Sequence, residues 1–383
     1  MKYSSLLFAN LFRKKVRLML TIGSFAAALF LFTFLAVVKS AFSRGVEVAG
    51  ADRLVVINRT SIIQPLPIAD RDKILTIPGI KAITHNNWFG GVYQDEKNFF
   101  PQFAIDIENQ RMVFPEMVVP DDQWKTFLND RQGAIAGART AKRFGWKVGD
   151  RIPIKTTLFG GPGAWEFNLD GIYHNDRPGG DESQFWLQYK YFDESMPADQ
   201  KGLIGWYVIR LDNPEDAARV AGAVDAMFAN STYETKTETE SAFAASWVKQ
   251  FGNIEFLILT IGSVVFFTLL LVTGNTMAIA VRERTAELAV LKAVGFSDRA
   301  VLFMVLGESI LLAAIGGTLG LVFAAAAVPV LANALNGLLP VLVVSPVTLL
   351  TGVGFALAVG ALSGLIPAFG AMRLRVVDAL RRV

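Results

Sequence analysis

Cysteine is absent from this chain, and histidine occurs only twice in 383 residues. The lack of cysteine excludes a disulfide framework, a thiolate metal site and a lipid-modified N-terminal cysteine. The two histidines, His85 and His174, lie 89 residues apart, and we expect each at the surface or in a turn rather than on a metal. Charge is also scarce, at 19% of residues, whereas 52% are hydrophobic. A mean hydropathy of +0.39 is too high for an ordinary soluble protein.

The sequence also lacks the motifs that carry catalysis. It has no Gly-x-x-x-x-Gly-Lys-Ser/Thr loop for nucleotide phosphates, no Gly-x-Ser-x-Gly elbow and no His-Glu-x-x-His motif. We interpret the pair Asp121 and Asp122 as a helix N-cap, and 160-GGPG-163 and 177-RPGGDE-182 as loops. No basic block is interleaved with aromatic residues, so nucleic acid is not an expected partner. The sequence therefore predicts no catalytic, cofactor-binding or metal-binding residue, and we expect that the chain is not an enzyme.

Long uncharged runs indicate four membrane spans. Leu18 to Val38 is 21 residues without a charge, enough for a helix to cross the hydrocarbon core. We interpret it as an uncleaved anchor rather than a signal peptide, because it is long and no Ala-x-Ala site follows. Phe256 to Ala280 is the second run. Ser309 to Met372 has 64 uncharged residues, too many for one span, and helix-breaking residues divide it into two: Asn333, Asn336, Gly337, Pro340, Ser345 and Pro346.

The basic residues orient these spans. They form three clusters: Lys2, Arg13, Lys14, Lys15 and Arg17 before the first span; Arg282, Arg284, Lys292 and Arg299 between the second and third; Arg373, Arg375, Arg381 and Arg382 after the fourth. All three clusters lie on one side of the membrane only if both termini are cytoplasmic and the large polar domain is outside.

The expected organisation follows from these runs and clusters. In chain order it is a cytoplasmic amphipathic N-terminal helix at 1–17, a membrane helix at 18–39, an extracytoplasmic domain at 40–250, a membrane helix at 254–281, a cytoplasmic coupling element at 282–298, a membrane helix at 299–334, a short outer turn at 335–346, a membrane helix at 347–372 and a cytoplasmic tail at 373–383.

The large polar domain is predicted to be mixed α and β. Its strands are expected at 53–59, 80–84, 204–211 and 232–238, with helices at 69–77 and 214–228, the latter opened by Pro214. Two βαβ-like units thus flank a middle section with strand-like pieces at 151–157 and 165–174 and a helix that ends at Gly145. We therefore predict one porter-like subdomain interrupted by an inserted β-rich subdomain.

Small residues and one acid mark the third and fourth spans. Gly316 and Gly320 form a Gly-x-x-x-Gly pair, as do Gly360 and Gly364, and such positions let helices approach closely within a bundle or across a dimer. Glu308 is the one acid inside a span. Two roles stay open for it: functional coupling, or anchoring at the interface through water or Arg299.

The charged segment between the second and third spans is the most informative part of the chain. Residues 282–294 contain no helix breaker, so the second span is expected to continue as helix until Gly295 ends it. Ser297 and Asp298 then supply cap residues for the third span. Leu288, Leu291 and Val294 share one face of this helix. We interpret that apolar face as a docking surface for a partner.

The run 282-RERTAELAVLKAVGFSDRAVLFMVLGESILLAAIGGTLG-320 resembles the signature of the MacB/FtsX-like family of ABC transporter permeases. The matching positions are Arg282, Arg284, Glu287, Leu291, Lys292, Ala293, Gly295, Glu308, Gly316, Gly317 and Gly320. The order of segments along the chain and the ending 378-DALRR-382 resemble the family as well. The implied fold class is an α-helical membrane protein with four transmembrane helices and a large mixed α+β extracytoplasmic domain, a MacB-like porter subdomain with a β-rich insert.

The resemblance implies a bacterial inner-membrane permease without catalysis or a cofactor of its own. Its expected partners are a separate cytoplasmic ATPase that carries ATP and magnesium, a second permease copy in a homodimer, the lipid bilayer and a periplasmic adaptor or membrane-fusion protein. The implied ATPase-coupling residues are Arg282, Arg284, Glu287, Leu288, Leu291, Lys292 and Gly295. Those implied in packing or coupling within the membrane are Glu308, Gly316, Gly317, Gly320, Gly360 and Gly364.

Two functions follow from the resemblance and stay open at this point. One is export or extraction of an amphiphilic substrate, such as a peptide, drug, lipid or lipoprotein, driven by the partner ATPase. The other is FtsX-like signalling, in which the same ATPase cycle regulates an extracytoplasmic cell-wall hydrolase and no cargo moves. The large outer domain favours the first.

Overall fold

The computed structural model describes residues 14–47, 50–156, 165–250, 254–334 and 342–375. Several predicted segments lie wholly or mainly outside these ranges: the N-terminal surface helix, the turn 160-GGPG-163, most of the outer turn at 335–346 and the tail beyond residue 375. The described chain divides into a helical unit and a mixed α/β unit.

The elements are numbered in chain order. The helices are α1 (Lys15–Glu47), α2 (Asp70–Ile74), α3 (Gln110–Val113), α4 (Asp121–Asn129), α5 (Ala138–Phe144), α6 (Tyr189–Glu194), α7 (Ala217–Met227), α8 (Glu240–Gln250), α9 (Ile254–Glu283), α10 (Thr285–Ala293), α11 (Asp298–Ala334) and α12 (Pro346–Met372). The strands are β1 (Arg53–Asn58), β2 (Leu66–Pro67), β3 (Ile80–Trp88), β4 (Gln102–Ile105), β5 (Met117–Val118), β6 (Gly133–Gly137), β7 (Arg151–Ile154), β8 (Trp165–Asn175), β9 (Phe185–Gln188), β10 (Leu203–Ile204), β11 (Trp206–Leu211) and β12 (Thr235–Thr239).

Four helices of the described chain, α1, α9, α11 and α12, are long and apolar enough to cross a membrane. Their local starts follow from the sequence. At α12, the Ser345 hydroxyl accepts the amide N–H of Thr348 at 3.1 Å, and Pro346 occupies the first helical position, where no N–H is needed. Together with the mixed α/β unit, these four spans confirm the predicted fold class.

The first and last strands of the α/β unit form a split-βαβ arrangement. The strand order is β12-β1-β11-β3, and each neighbouring pair is antiparallel. Thus β1 and β3 are parallel with β11 between them, so the two βαβ units predicted from the sequence interleave in one sheet. One face of this sheet packs on the helices through Ile74 of α2 and Val220 and Val224 of α7, which are buried in the main core.

The middle section extends the same sheet. It continues from β3 through β4, β9, β6 and β8 to β5, while β7 pairs with β8. Aromatic side chains fill its core, with ring centroids of Phe89 and Trp165 5.2 Å apart and of Phe167 and Phe185 5.7 Å apart. The β-rich insert therefore shares a hydrogen-bonded sheet with the flanking subdomain through the β3–β4 pairing.

A buried ion cluster ties the two ends of the α/β unit together. The Arg53 guanidinium at the start of β1 lies 2.6 Å from the Glu240 carboxylate at the start of α8 and 2.7 Å from that of Glu116. Its side chain is 3% exposed and stacks on Phe114, with the guanidinium carbon 4.6 Å from the ring centre. Burial alone would lower the pKa of Arg53, but the two carboxylates outweigh it and raise that pKa.

Three expectations about this unit are wrong. His85 is buried rather than at the surface, and its ring meets that of Tyr189 edge-on at 4.5 Å. Asp121 and Asp122 do not cap α4: they form its first turn, the N-cap is Pro120, and the carboxylate of Asp121 pairs instead with Arg111 at 2.9 Å. The strand expected over 204–211 is interrupted between β10 and β11 at Gly205, whose amide N–H donates to the Asn87 side-chain oxygen at 2.9 Å.

Candidate coupling site between the second and third spans

A short helix, α10, joins the second and third spans. The sequence predicted that the second span continues into this helix, and that prediction is wrong. Arg284 leaves the helical conformation (φ −102°, ψ 11°) and separates α9 from α10. Gly295 ends α10 in the left-handed region at φ +106°. The amide N–H of Phe296 donates to the Leu291 carbonyl, and that of Gly295 to the Lys292 carbonyl, each at 3.1 Å. This is a Schellman motif, which fixes the exit from the helix.

The residue at the break is held by an ion pair. Arg284 Nη1 lies 2.8 Å from Glu308 Oε2, and both side chains are largely buried. Contact of Glu308 with water or Arg299 was one of the two roles left open by the sequence, and the structure pairs this acid with Arg284. Because the pair joins the α9–α10 break to α11, it fixes the start of α10 against the third span.

The apolar face predicted as a docking surface is turned mainly inward. Leu288 is 6% exposed and packs with Val301, Val305 and Ala371, and Leu291 packs against the same cluster. The hydrophobic effect explains this inward orientation, because α11 and α12 provide apolar side chains for the face to pack against. Those partners could not be predicted from the sequence of α10. The face that stays exposed carries Glu287, Val290 and Val294, with Val290 50% and Val294 76% exposed. We call these three residues the α10 outer face.

Lys292 is a second internal anchor. Its ammonium donates to the carbonyl oxygens of Met372 at 2.6 Å and Leu374 at 3.0 Å, and it lies 2.7 Å from the Asp298 carboxylate. Met372 is the last residue of α12 and Leu374 lies two residues beyond it, so the ammonium is at the C-terminal end of this helix, where the helix dipole favours a cation. All three donors of the ammonium are thus used, and Lys292 joins α10 to α11 and α12.

The last residue of α9 is paired with the start of α1. The guanidinium of Arg17 contacts both carboxylate oxygens of Glu283 at 2.7 Å, and Lys14 lies 2.8 Å from the same group. A polar crevice of about 240 Å³ lies beside these groups and is also lined by Arg284, Glu287 and Glu308. Its ionic side chains are balanced, since three cations face three acids.

The predicted glycines are in contact with neighbouring helices of the same chain. A Cβ added at Gly320 would lie 2.4 Å from the Ala26 carbonyl of α1, and one at Gly316 would lie 2.5 Å from the Phe25 Cβ. A Cβ at Gly360 would lie 2.6 Å from that of Ala313. Gly317 and Gly364 are equally tight against Ala356 and Ser309. Both Gly-x-x-x-Gly motifs therefore bring α1, α11 and α12 together within one chain.

The structure brings some predicted residues together and leaves others apart. Arg284, Glu308, Leu288 and Lys292 lie between α10 and its neighbours, whereas Glu287 and Arg282 are exposed. Glu283 was not predicted as a site residue from the sequence. The signal for its ion pairs was its position beside Arg282, together with the basic residues before the first span. Val290 was not predicted either; it lies three residues from Glu287 and four from Val294 and therefore shares their face.

Comparison with known proteins identifies the helical region. The FtsX-like permease C-terminal family matches residues 259–376, a range that includes α10, α11, α12 and most of α9. Residues 259–376 form an FtsX-like permease domain. The family resemblance predicted from the sequence is thereby confirmed, and the protein is a multi-pass membrane protein with four spans. The matched region is a permease domain, not a catalytic one.

The relatives of this chain include both short and extended matches. The ABC transporter permease YvrN of Bacillus subtilis is 37% identical over 108 residues, which cover 28% of this chain and 25% of that protein. An ABC transporter permease of Methanocaldococcus jannaschii is 23% identical over 336 residues, covering 83% and 81%. The macrolide export ATP-binding/permease protein MacB of Nitrobacter winogradskyi is 38% identical over 109 residues, or 28% of this chain and 16% of that protein.

Two solved structures are similar to parts of this chain. The periplasmic region of MacB from Actinobacillus actinomycetemcomitans aligns with a TM-score of 0.37 and 10% identity, over 55% of this chain and 98% of that one. The extracellular domain of the ABC-type transporter YknZ from Gram-positive bacteria aligns with a TM-score of 0.36 and 9% identity, over 49% and 100%.

Proposed function

We propose that this chain is the non-catalytic permease subunit of an ABC transporter whose ATPase is a separate polypeptide. The observation that carries the proposal is α10, a capped helix in a permease domain that is anchored on one side and exposed on the other. The α10 outer face combines one carboxylate with two exposed valines, and such a surface suits contact with a protein partner. ATP and magnesium would bind on that partner.

The anchors of α10 support a role in transmitting motion. Lys292 joins the helix to α12, and the Arg284–Glu308 pair joins its start to α11. A displacement of α10 by a docked ATPase would therefore move the third and fourth spans with it, because packed helices shift as units. Arg284, Leu288, Leu291 and Lys292 act in this proposal as internal links, whereas Glu287 supplies a direct contact.

The remaining features of the proposal rest on charge and family likeness. The basic clusters favour a cytoplasmic position for both termini and for α10, with the α/β unit outside a bacterial inner membrane. The α/β unit would then move an amphiphilic substrate, such as a peptide, drug, lipid or lipoprotein. A second permease copy and a periplasmic adaptor complete the proposed assembly.

Co-purification with the ATPase tests the docking surface. The tagged full chain is expressed in its host, extracted in mild detergent and captured, and co-purified proteins with nucleotide-binding motifs are identified and quantified by mass spectrometry. We expect Val290→Asp and Glu287→Arg each to lower recovery of the ATPase at least tenfold. Ile63→Asp, at an 88% exposed position of the α/β unit, is the matched control and should leave recovery unchanged. Full recovery with both α10 variants would refute this docking surface.

A further inference from the structure

An open groove runs between the start of α1 and the C-terminal part of α9. Its volume is about 650 Å³. Three cations, Lys14, Lys15 and Arg17, line one end, and the apolar side chains of Val16, Leu20 and Val272 line the rest. The groove therefore has a charged end and an apolar body.

The charged end carries excess positive charge. Glu283 is shared by Lys14 and Arg17, at 2.8 and 2.7 Å, and is the acid paired with this cluster. Lys15 is exposed and has no acidic partner in the described part of the chain. Since the acids of the polar crevice balance Lys14 and Arg17, Lys15 supplies the excess positive charge at the N-terminal end of α1, where the helix dipole adds further positive potential. An anion is the complementary ligand.

The body of the groove requires an apolar ligand. Val16 and Leu20 lie one turn apart on α1 and are exposed, and Val272 is exposed on α9. Hydroxyl groups along the groove are already bonded to their own helices: Thr21 donates to the Arg17 carbonyl at 2.9 Å and Thr276 to the Val272 carbonyl at 2.8 Å. The groove wall therefore presents no unsatisfied hydroxyl donor at these positions, and hydrocarbon can pack along it.

We propose that this groove is a binding site for one anionic glycerophospholipid. The phosphate lies at Lys15 with Lys14 beside it, and an acyl chain lies along Val16, Leu20 and Val272. Basic pockets between membrane helices select anionic headgroups by this combination of charge and apolar wall. The bound lipid would bridge the first and second spans next to the Arg17–Glu283 pair. The site is independent of the proposed ATPase docking, because none of its residues belongs to the α10 outer face.

Native mass spectrometry tests the site on the full chain. The protein is purified without lipid and titrated with palmitoyl-oleoyl phosphatidylglycerol or the matching phosphatidylcholine. We expect preferential binding of one phosphatidylglycerol, and Lys15→Gln should weaken it about fivefold, the effect of one basic residue at a membrane surface. Lys15→Arg should restore it. Arg299→Gln removes an exposed charge elsewhere on the helical unit and should bind like the wild type.

A second variant separates the lipid from a simple anion. Val272→Trp fills the apolar body without altering charge, so it should weaken phosphatidylglycerol binding while circular dichroism and gel filtration show a folded protein. Equal retention of both lipids, or equal binding by Lys15→Gln and Arg299→Gln, would overturn the proposal. Displacement of the lipid by inorganic phosphate at equal concentration would do so too, since it would reveal an anion site only. A several-fold gain on deletion of residues 1–12 would show that the chain itself is the occupant.

Discussion

Arg284 and Glu308 form an ion pair of 2.8 Å that joins the break between α9 and α10 to the third span, α11. Glu287 lies three residues after Arg284, but the ion pair of Arg284 is with Glu308, 24 residues away on α11, so the pair is long-range. The pair therefore fixes the one-residue interruption between α9 and α10 in place. The helix that carries the α10 outer face is therefore held at its start.

Removal of one partner of this pair should be costly. We expect Glu308→Gln to lower the free energy of unfolding by about 3 kcal/mol, because it leaves a largely buried guanidinium without its carboxylate. The measurement is unfolding by sodium dodecyl sulfate in mixed micelles. The double variant Arg284→Met with Glu308→Leu should recover most of the loss, since apolar residues replace both charges. A double variant no more stable than Glu308→Gln would contradict this account of the pair.

Lys292 should control the rigidity of α10. Lys292→Met removes all three of its contacts, to Met372, Leu374 and Asp298, while it keeps the side-chain length. We expect amide hydrogen exchange over Thr285–Gly295 to become about tenfold faster, because local opening no longer breaks these bonds. Arg299→Met serves as the control at an exposed position. Equal exchange in the two variants would show that Lys292 does not anchor the helix.

The close approach of α1 and α11 predicts a position-specific effect of glycine replacement. In Gly320→Ala, the new Cβ would lie 2.4 Å from the backbone oxygen of Ala26, so the helices must separate, at a cost of about 2 kcal/mol. Gly354→Ala on α12 meets nothing within 4 Å and should be neutral or slightly stabilising, as alanine favours helix. Thermal unfolding in detergent distinguishes the two. Equal melting temperatures would indicate that the α1–α11 contact is not tight.

The sequence predicted the helices better than their partners. Uncharged runs locate α1, α9, α11 and α12 because length and hydropathy are local properties of the chain. The inward orientation of Leu288 and the role of Lys292 as an anchor for α12 depend on residues about 80 positions away, as in the Lys292–Met372 bond. Amphipathic spacing on α10 correctly groups Leu288 with Leu291, but it cannot say whether that face meets a partner protein or the same chain. The partner of Glu308 likewise could not be predicted from the sequence, because the pair depends on the interruption of the helix at Arg284.

Burial of His85 predicts a loss of stability in acid. Desolvation lowers the pKa of His85 to about 4, against the attraction of Asp106, whereas an unfolded histidine titrates near 6.5. Between these values the unfolded chain binds a proton that the folded chain does not, so stability is full above pH 6.5 and falls as pH drops toward 4. The loss should reach about 3 kcal/mol. His85→Leu should flatten this dependence, measured by tryptophan fluorescence during unfolding at each pH.

The exposed histidine provides the control for that experiment. His174 is well exposed and lies 3.6 Å from Glu182, so His174→Gln should leave the pH dependence of the wild type intact. If His174→Gln flattens the curve as much as His85→Leu does, burial is not its cause.

Arg53 is the shared cation of a buried cluster in the α/β unit. Arg53→Met leaves the carboxylates of Glu116 and Glu240 without their shared cation, and we expect the α/β unit to lose about 3 kcal/mol or more of stability. Arg59→Met removes a surface ion pair with Glu234, 3.0 Å apart, and should cost less than about 1 kcal/mol. Because Arg53 joins the start of β1 to the start of α8, hydrogen exchange should also quicken in both segments in the first variant only. Unfolding curves that coincide for the two variants would show that the cluster does not hold the two ends of the unit together.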